Sequence, residues 1–193
     1  MLILATKSST KCSLMDRSGV EYTAMSADVD ERSIENAHPG LNAKETVILL
    51  AQAKAKKLSL VYPNEFIIAA DTFGVLPDGS RLRKAKTTEE TMKMCLSQSG
   101  QTVTIYTGIC VAHRSKFHTD TTETKITYTN FDRTTLEKVW ARVAGSVRRN
   151  AALGFHVDAP GFTLVERIEG SYLGALGLPP CNGRGLFQHR AFC

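Results

Sequence analysis

The chain has 193 residues, 42% of them hydrophobic and 22% charged, with a formal net charge of +5. That fits one globular domain, or one domain with two lobes, holding a sizeable core, and the basic balance suits an anionic ligand. Eight Phe, five Tyr and one Trp, with no basic run among the aromatics, argue against a nucleic-acid surface.

Five cysteines, odd in number and without a Cys-X-X-Cys pair, suggest neither a disulfide framework nor a zinc site. Reduced thiols in a cytoplasmic protein are expected. No apolar run approaches the length of a membrane span, and the first residues lack the basic flank of a signal peptide, so no membrane partner is expected either.

Leu2-Ile3-Leu4-Ala5 reads as a short buried strand. The hydroxyl-rich, basic turn Thr6 to Lys11 follows, with a helix from about Ser9 to Arg17 that turns Leu14 and Met15 inward. Free N–H groups at such a helix start either bind an anion or are capped by Ser8 or Ser9. Val20 to Met25 reads as a second strand, and Ala27 to Gly40 as an acidic loop carrying Asp28, Asp30, Glu31 and Glu35. Asp28-Val29-Asp30 is not an aspartyl-phosphate motif, because Ala24-Met25-Ser26-Ala27 is too weak to be the buried strand that motif needs.

Asn42 opens the longest predicted helix, to about Ser59, with Val47, Leu50, Ala51, Lys54 and Leu58 on one stripe. Lys54 therefore lies on the face that should be buried, where it either snorkels to water or aims a cation into a cleft. Phe66 to Thr72 reads as a strand buried on both faces that ends on Asp71 and Thr72. Ligands gather at the carboxyl ends of such strands. A desolvated acid there needs a metal, a lysine or a substrate donor, unless it merely caps a turn.

Arg81-Leu82-Arg83-Lys84-Ala85-Lys86 reads as a basic surface, followed by a helix from Thr88 to Leu96. Val103 to Ala112 and Thr119 to Asn130 form a hairpin turning near 113–117. Thr134 caps a helix to about Val143 that buries Trp140. A basic loop at Gly145 to Arg149 and a strand-like run from Phe162 to Ile168 complete the pattern. Strands alternating with helices, plus one long hairpin, give an α/β fold with a mixed sheet.

The order of these motifs resembles the Maf family of nucleoside triphosphate pyrophosphatases. Leu2 to Ser8 is similar to the family's opening strand and serine turn, and Asp28 to Arg32 to its acidic loop. Leu50 to Ala55 is similar to its lysine helix and Ile68 to Thr72 to its central acid. Lys84-Ala85, Ser99-Gly100, Tyr106-Thr107-Gly108, Ile168 to Tyr172 and Gly177-Leu178-Pro179 follow in the family's order.

The resemblance implies an elongated central sheet flanked by helices, two lobes with a cleft, and a homodimer. It implies hydrolysis of the α–β anhydride of a nucleoside triphosphate, with Mg²⁺ or Mn²⁺, to monophosphate and pyrophosphate. It places Asp71, Lys54 and Lys84 in catalysis, with Asp71 as proton acceptor. Ser8, Thr10, Lys11, Thr72 and Asp158 fall at substrate contacts, and Glu31 and Asp71 at a metal. The chemistry agrees with the residue types: lysines neutralise developing charge on the leaving pyrophosphate, carboxylates hold a hard cation, and a carboxylate base activates water.

Thr72 keeps the family's pyrimidine-type (dTTP/UTP) pattern. Thr10 replaces the first arginine after the serine turn, Asp158 is a shorter acid than the usual Gln or Glu, and Asn150-Ala151-Ala152-Leu153 replaces Asp-Lys-Ala-Gly. These departures motivate an alternative, a catalytically impaired nucleotide-binding or regulatory protein on the same fold. Residues 181–193 lack the apolar helix the family often carries and are expected to be a disordered end.

Overall fold

The computed structural model describes residues 1–82, 85–142 and 160–179. The chain is a mixed α/β protein whose seven strands form one sheet in the order β2 (Thr23–Met25), β1 (Leu2–Ala5), β3 (Phe66–Val75), β5 (Thr102–His113), β6 (Lys116–Tyr128), β7 (Val165–Gly170), with β4 (Arg81–Leu82) on β3. Its residues divide into two compact units. The first holds Met1–Asp71, Thr107–Thr122 and the chain from Gly177; the second holds Thr72–Tyr106 and Glu123–Leu176.

In the first unit, β1 (Leu2–Ala5) pairs in parallel with β2 (Thr23–Met25) and with β3 (Phe66–Val75), Leu4 standing opposite Ile68. Strand alternation sends successive side chains to opposite faces, and each face acquires its own helix. Leu2, Leu4, Ile68, Ala70, Ile109 and Val111 pack with Met15 of α1 (Ser9–Ser18). Ile3, Ala5, Ile67, Ala69, Cys110 and Ala112 pack with Ala51, Ala55 and Leu58 of α3 (Ala43–Val61).

Asn42 and Glu45 close a reciprocal capping box at the start of α3, with N–H···O distances of 3.0 and 2.9 Å. The helix then presses on β5 (Thr102–His113) so closely that a Cβ on Gly108 would lie 2.5 Å from the Val47 carbonyl. No residue but glycine fits under that helix.

In the second unit, β4 (Arg81–Leu82) pairs antiparallel with Gly74 and Val75. Helix α4 (Thr88–Leu96) starts on a Thr87–Glu90 capping box and packs on α5 (Arg133–Trp140). β7 (Val165–Gly170) pairs antiparallel with the second half of β6 (Lys116–Tyr128), and α6 (Tyr172–Ala175) follows it. Ile105, Ile126, Tyr128, Leu136 and Trp140 are buried there.

Several expectations are corrected. The acidic loop contains a helix, α2 (Glu31–Ala37), because the Asp30 carboxylate accepts from Ser33 N at 3.0 Å and Ser33 Oγ at 2.7 Å and so caps it. The strand expected from Val20 begins only at Thr23. β3 does not end on Asp71 but runs to Val75, where β4 gives it a new partner. Asp132, not Thr134, caps α5, its carboxylate accepting from Thr135 N at 2.8 Å. The run Phe162 to Ile168 is split, its first residues lying in a 3₁₀ turn, Pro160–Leu164, before β7.

Arg114 and Ser115 make the hairpin turn with φ of 47° and 64°, the left-handed pair of a two-residue type I′ connection. Cys12, Cys95 and Cys110 are free thiols. Among the described residues no helix is long and apolar enough to cross a membrane. The basic loop at 145–149 and the tail at 181–193 lie outside the described residues.

The close approach of α3 to β5 is testable. Gly108→Ala should destabilise the protein by roughly 1–3 kcal/mol, the usual cost of overpacking. Thermal or denaturant unfolding reads it directly.

Candidate active site

Asp71 is positioned by parity and by strand length. Two and four residues before it, Ala69 and Ile67 face α3, so alternation turns Asp71 to that same face. β1 stops at Ala5, one step past the Leu4–Ile68 pair, so Asp71 lies beyond the end of its parallel neighbour. On α3, Lys54 follows Leu50 and Ala51 and precedes Leu58 on the buried stripe. It does not snorkel away. Lys54 Nζ donates to Asp71 Oδ1 at 2.5 Å and pairs with Glu31 Oε1 at 2.6 Å.

The two buried partners are nearly shut off from water: the side chains of Lys54 and Asp71 are 14% and 12% exposed, against 47% for Glu31. Glu31 is delivered by the Asp30 cap, being the first residue of α2. Burial acts most strongly on Lys54 and pulls its pKa down. Asp71 and Glu31 together outweigh it and hold the ammonium above the ordinary lysine value.

Lys11 approaches the same group from the other helix. Ser8 is the N-cap of α1, its Oγ accepting from Lys11 N at 3.5 Å, while Ser8 N donates to Thr6 Oγ1 at 3.0 Å. Half-buried Lys11 has its pKa lowered from 10.5 to about 8: burial is the main cause, opposed by Asp71 and Glu31 and reinforced by Lys54. Thr10 sits in the same first turn.

Sequence reasoning assigned no role to a second charged group beside this one. Asp28, at a left-handed φ of 45°, accepts on Oδ1 from Lys7 Nζ at 2.6 Å and from Ser26 Oγ at 2.9 Å. Its main-chain carbonyl accepts from Lys57 Nζ at 2.5 Å. The Lys7 and Ser26 bonds, in that order, hold the Asp28 carboxyl below its ordinary pKa. The signal was present as spacing: Lys7 lies four residues before Lys11, Asp28 three before Glu31, and Lys57 three after Lys54.

Of the residues singled out from sequence, the first unit thus brings together Lys11, Glu31, Lys54 and Asp71, with Ser8 and Thr10 in the adjoining turn. Thr72 is the next residue of β3 and opens the second unit. Lys84 and Asp158 lie outside the described residues. Among the described residues no group of three or more His, Cys, Asp or Glu side chains is placed to hold a metal. Glu31 and Asp71 are the two carboxylates that converge, and Lys54 lies between them.

A strand carboxylate beyond the end of its neighbour, a buried lysine across from it and a helix N-terminus alongside lie together in a mixed α/β protein. The chain belongs to the Maf-like protein family, whose model matches residues 1–189. A nucleoside triphosphate pyrophosphatase of Corynebacterium diphtheriae is 30% identical over 177 residues, 92% of this chain and 87% of that protein. A dTTP/UTP pyrophosphatase of Methylobacillus flagellatus is 34% identical over 182 residues, 92% and 86% of the two chains. A 7-methyl-GTP pyrophosphatase of Bartonella henselae is 26% identical over 179 residues, 92% and 89%.

The lowered pKa of Lys11 makes a signed prediction. Between pH 8 and 10.5 the folded chain holds fewer protons on this amine than the unfolded chain, so stability rises with pH across that window. Lys54, with its pKa raised, loses its contribution only above the window. Lys11→Met should flatten the rise, which melting temperatures collected from pH 7 to 10 would reveal.

Proposed function

We propose that this chain is a hydrolase of the class its relatives are named for, cleaving a nucleoside triphosphate between the α- and β-phosphates. The observation that carries this reading is the Lys54–Asp71 contact at 2.5 Å, an acid and an amine paired in a nearly water-free place. Asp71 Oδ1 is engaged by Lys54, which leaves Oδ2 to take the proton of an attacking water. The water oxygen bonds to the α-phosphorus, and the bridging oxygen leaves with the pyrophosphate. Lys11 and the positive end of the α1 dipole offset charge on the phosphates and the leaving group.

We extend the proposal to a divalent cation held by Glu31 and Asp71. Two carboxylates are what Mg²⁺ commonly takes from a protein when phosphate oxygens and water complete its shell, so the residue types fit, with Lys54 as the cation now between them. Bound there, the ion would supply charge neutralisation of the phosphates and a lower pKa for water. Residue type supports a pyrimidine or modified nucleotide, since Thr72 keeps the pyrimidine pattern and relatives of this identity include a dTTP/UTP pyrophosphatase. The family resemblance supports a cytoplasmic homodimer.

Product analysis with purified protein, Mg²⁺ or Mn²⁺ and a panel of normal and modified triphosphates tests the reading. Monophosphate and pyrophosphate in equal amounts are expected. Asp71→Asn, which keeps shape and a hydrogen bond to Lys54, should lower turnover by about 10²–10⁴-fold in a protein that still folds, with a lower melting temperature because the buried Lys54 loses a charged partner. Near-normal turnover in that variant would remove Asp71 from the chemistry. Binding without products in the unaltered protein would favour the impaired binder that Thr10 suggests.

A further inference from the structure

The charges of the candidate site do not add up to a polyphosphate site. Lys11 and Lys54 face Glu31 and Asp71, so these four side chains carry no net charge when all are ionised. Lys54 is nearly buried and shared by two carboxylates, and releasing it to a substrate would leave Asp71 uncompensated in a dry place. A triphosphate brings several negative charges, and within the described centre only Lys11 is uncommitted to a short ion pair.

The Lys7–Asp28–Lys57 group has the opposite character. Two ammonium groups meet at one residue, Lys7 on the Asp28 carboxylate and Lys57 on its main-chain carbonyl, leaving a positive surplus, and the Lys7 and Asp28 side chains are 71% and 72% exposed. Each member lies within about one helical turn, in sequence, of a member of the centre: Lys7 of Lys11, Asp28 of Glu31, Lys57 of Lys54. An exposed ion pair contributes at most about 1 kcal/mol, so it exchanges readily for a more highly charged partner. The strained φ of Asp28 is held by the Ser26 hydroxyl and the Lys57 ammonium, which leaves Lys7 as the partner free to leave.

We propose that Lys7 and Lys57 form an outer cation pair that receives the phosphate chain of the substrate, and that Asp28 is a placeholder which Lys7 exchanges for phosphate. The proposal rests on the reading of the substrate as a nucleoside triphosphate. No covalent step is involved: one ion pair opens and a charge-assisted contact to a phosphate oxygen forms. Asp28 acts only through the two lysines.

The test uses the full chain with Lys7→Met, Lys57→Met and Asp28→Asn, measuring KM and kcat on the best nucleotide at low and high salt. Each lysine variant should raise KM roughly tenfold, the effect of one charge-assisted contact, with kcat within about twofold and a shallower salt dependence of KM. Asp28→Asn should lower KM, because Lys7 no longer has to be taken from a carboxylate. An unchanged KM in Lys7→Met overturns the proposal. So does a rise in KM in Asp28→Asn matching that of Lys7→Met, which would make the pair a structural clamp.

Inorganic tripolyphosphate, titrated calorimetrically into Asp71→Asn with and without Lys7→Met, gives a reading independent of turnover. If no nucleotide is hydrolysed but tripolyphosphate binding still falls on loss of Lys7, the assigned reaction fails and the cation pair stands. If nucleotides are hydrolysed and tripolyphosphate binding ignores Lys7, the pair fails alone.

Discussion

The candidate site depends on one ammonium group held between two carboxylates. A lysine on the buried stripe of a helix is costly unless its charge is met. Here it is met by Asp71 from a strand and Glu31 from the next helix. Remove the lysine and Asp71 becomes an unpaired acid at 12% exposure; remove Asp71 and the amine is left with a half-exposed partner alone. The three elements that carry these residues are thereby tied to one point. Polar ties of this kind add less to net stability than to a unique arrangement of the elements.

The scaffold explains why the tie can exist. Alternation along β1, β3 and β5 divides one apolar sheet into two faces, with α1 on one and α3 on the other. Asp71 continues the α3 face past the point where β1 stops, so a position that would have been apolar core carries a charge-pairing side chain instead. The α1 N-terminus starts from that same end of β1. A positive helix end and a negative strand residue are set side by side by nothing more than the short turn after β1.

Much of this was legible in the residues. The apolar run Phe66 to Ala70 ending on an acid, the stripe of α3 with its one lysine, and the hydroxyl-rich turn before α1 all carry local signals of periodicity and composition. Glu31 was legible as a residue but not as part of a helix, because the Asp30 cap was hidden among several acids with the same capping chemistry. The same ambiguity moved the start of α5, where Asp132 and Thr134 both have the chemistry and only geometry chooses. The Lys7–Asp28–Lys57 group was legible only as spacing from members of the centre, not as a set of contacts. Its members are 21 and 29 residues apart, and long-range pairs of exposed charges leave no periodic trace.

Gly108 has no side chain, yet it determines how far α3 stands from the sheet. A lysine side chain has a fixed maximum reach, so the depth at which α3 rides decides whether Lys54 meets Asp71 in direct contact or through water. The nearest atoms above Gly108 belong to Val47 and Ile48, two helical turns before Lys54 on the same rigid rod. A residue that takes no part in any reaction therefore works as the spacer for one. Substitutions that thicken the sheet beneath α3 would be felt first at the Lys54–Asp71 contact, some distance from the altered atom.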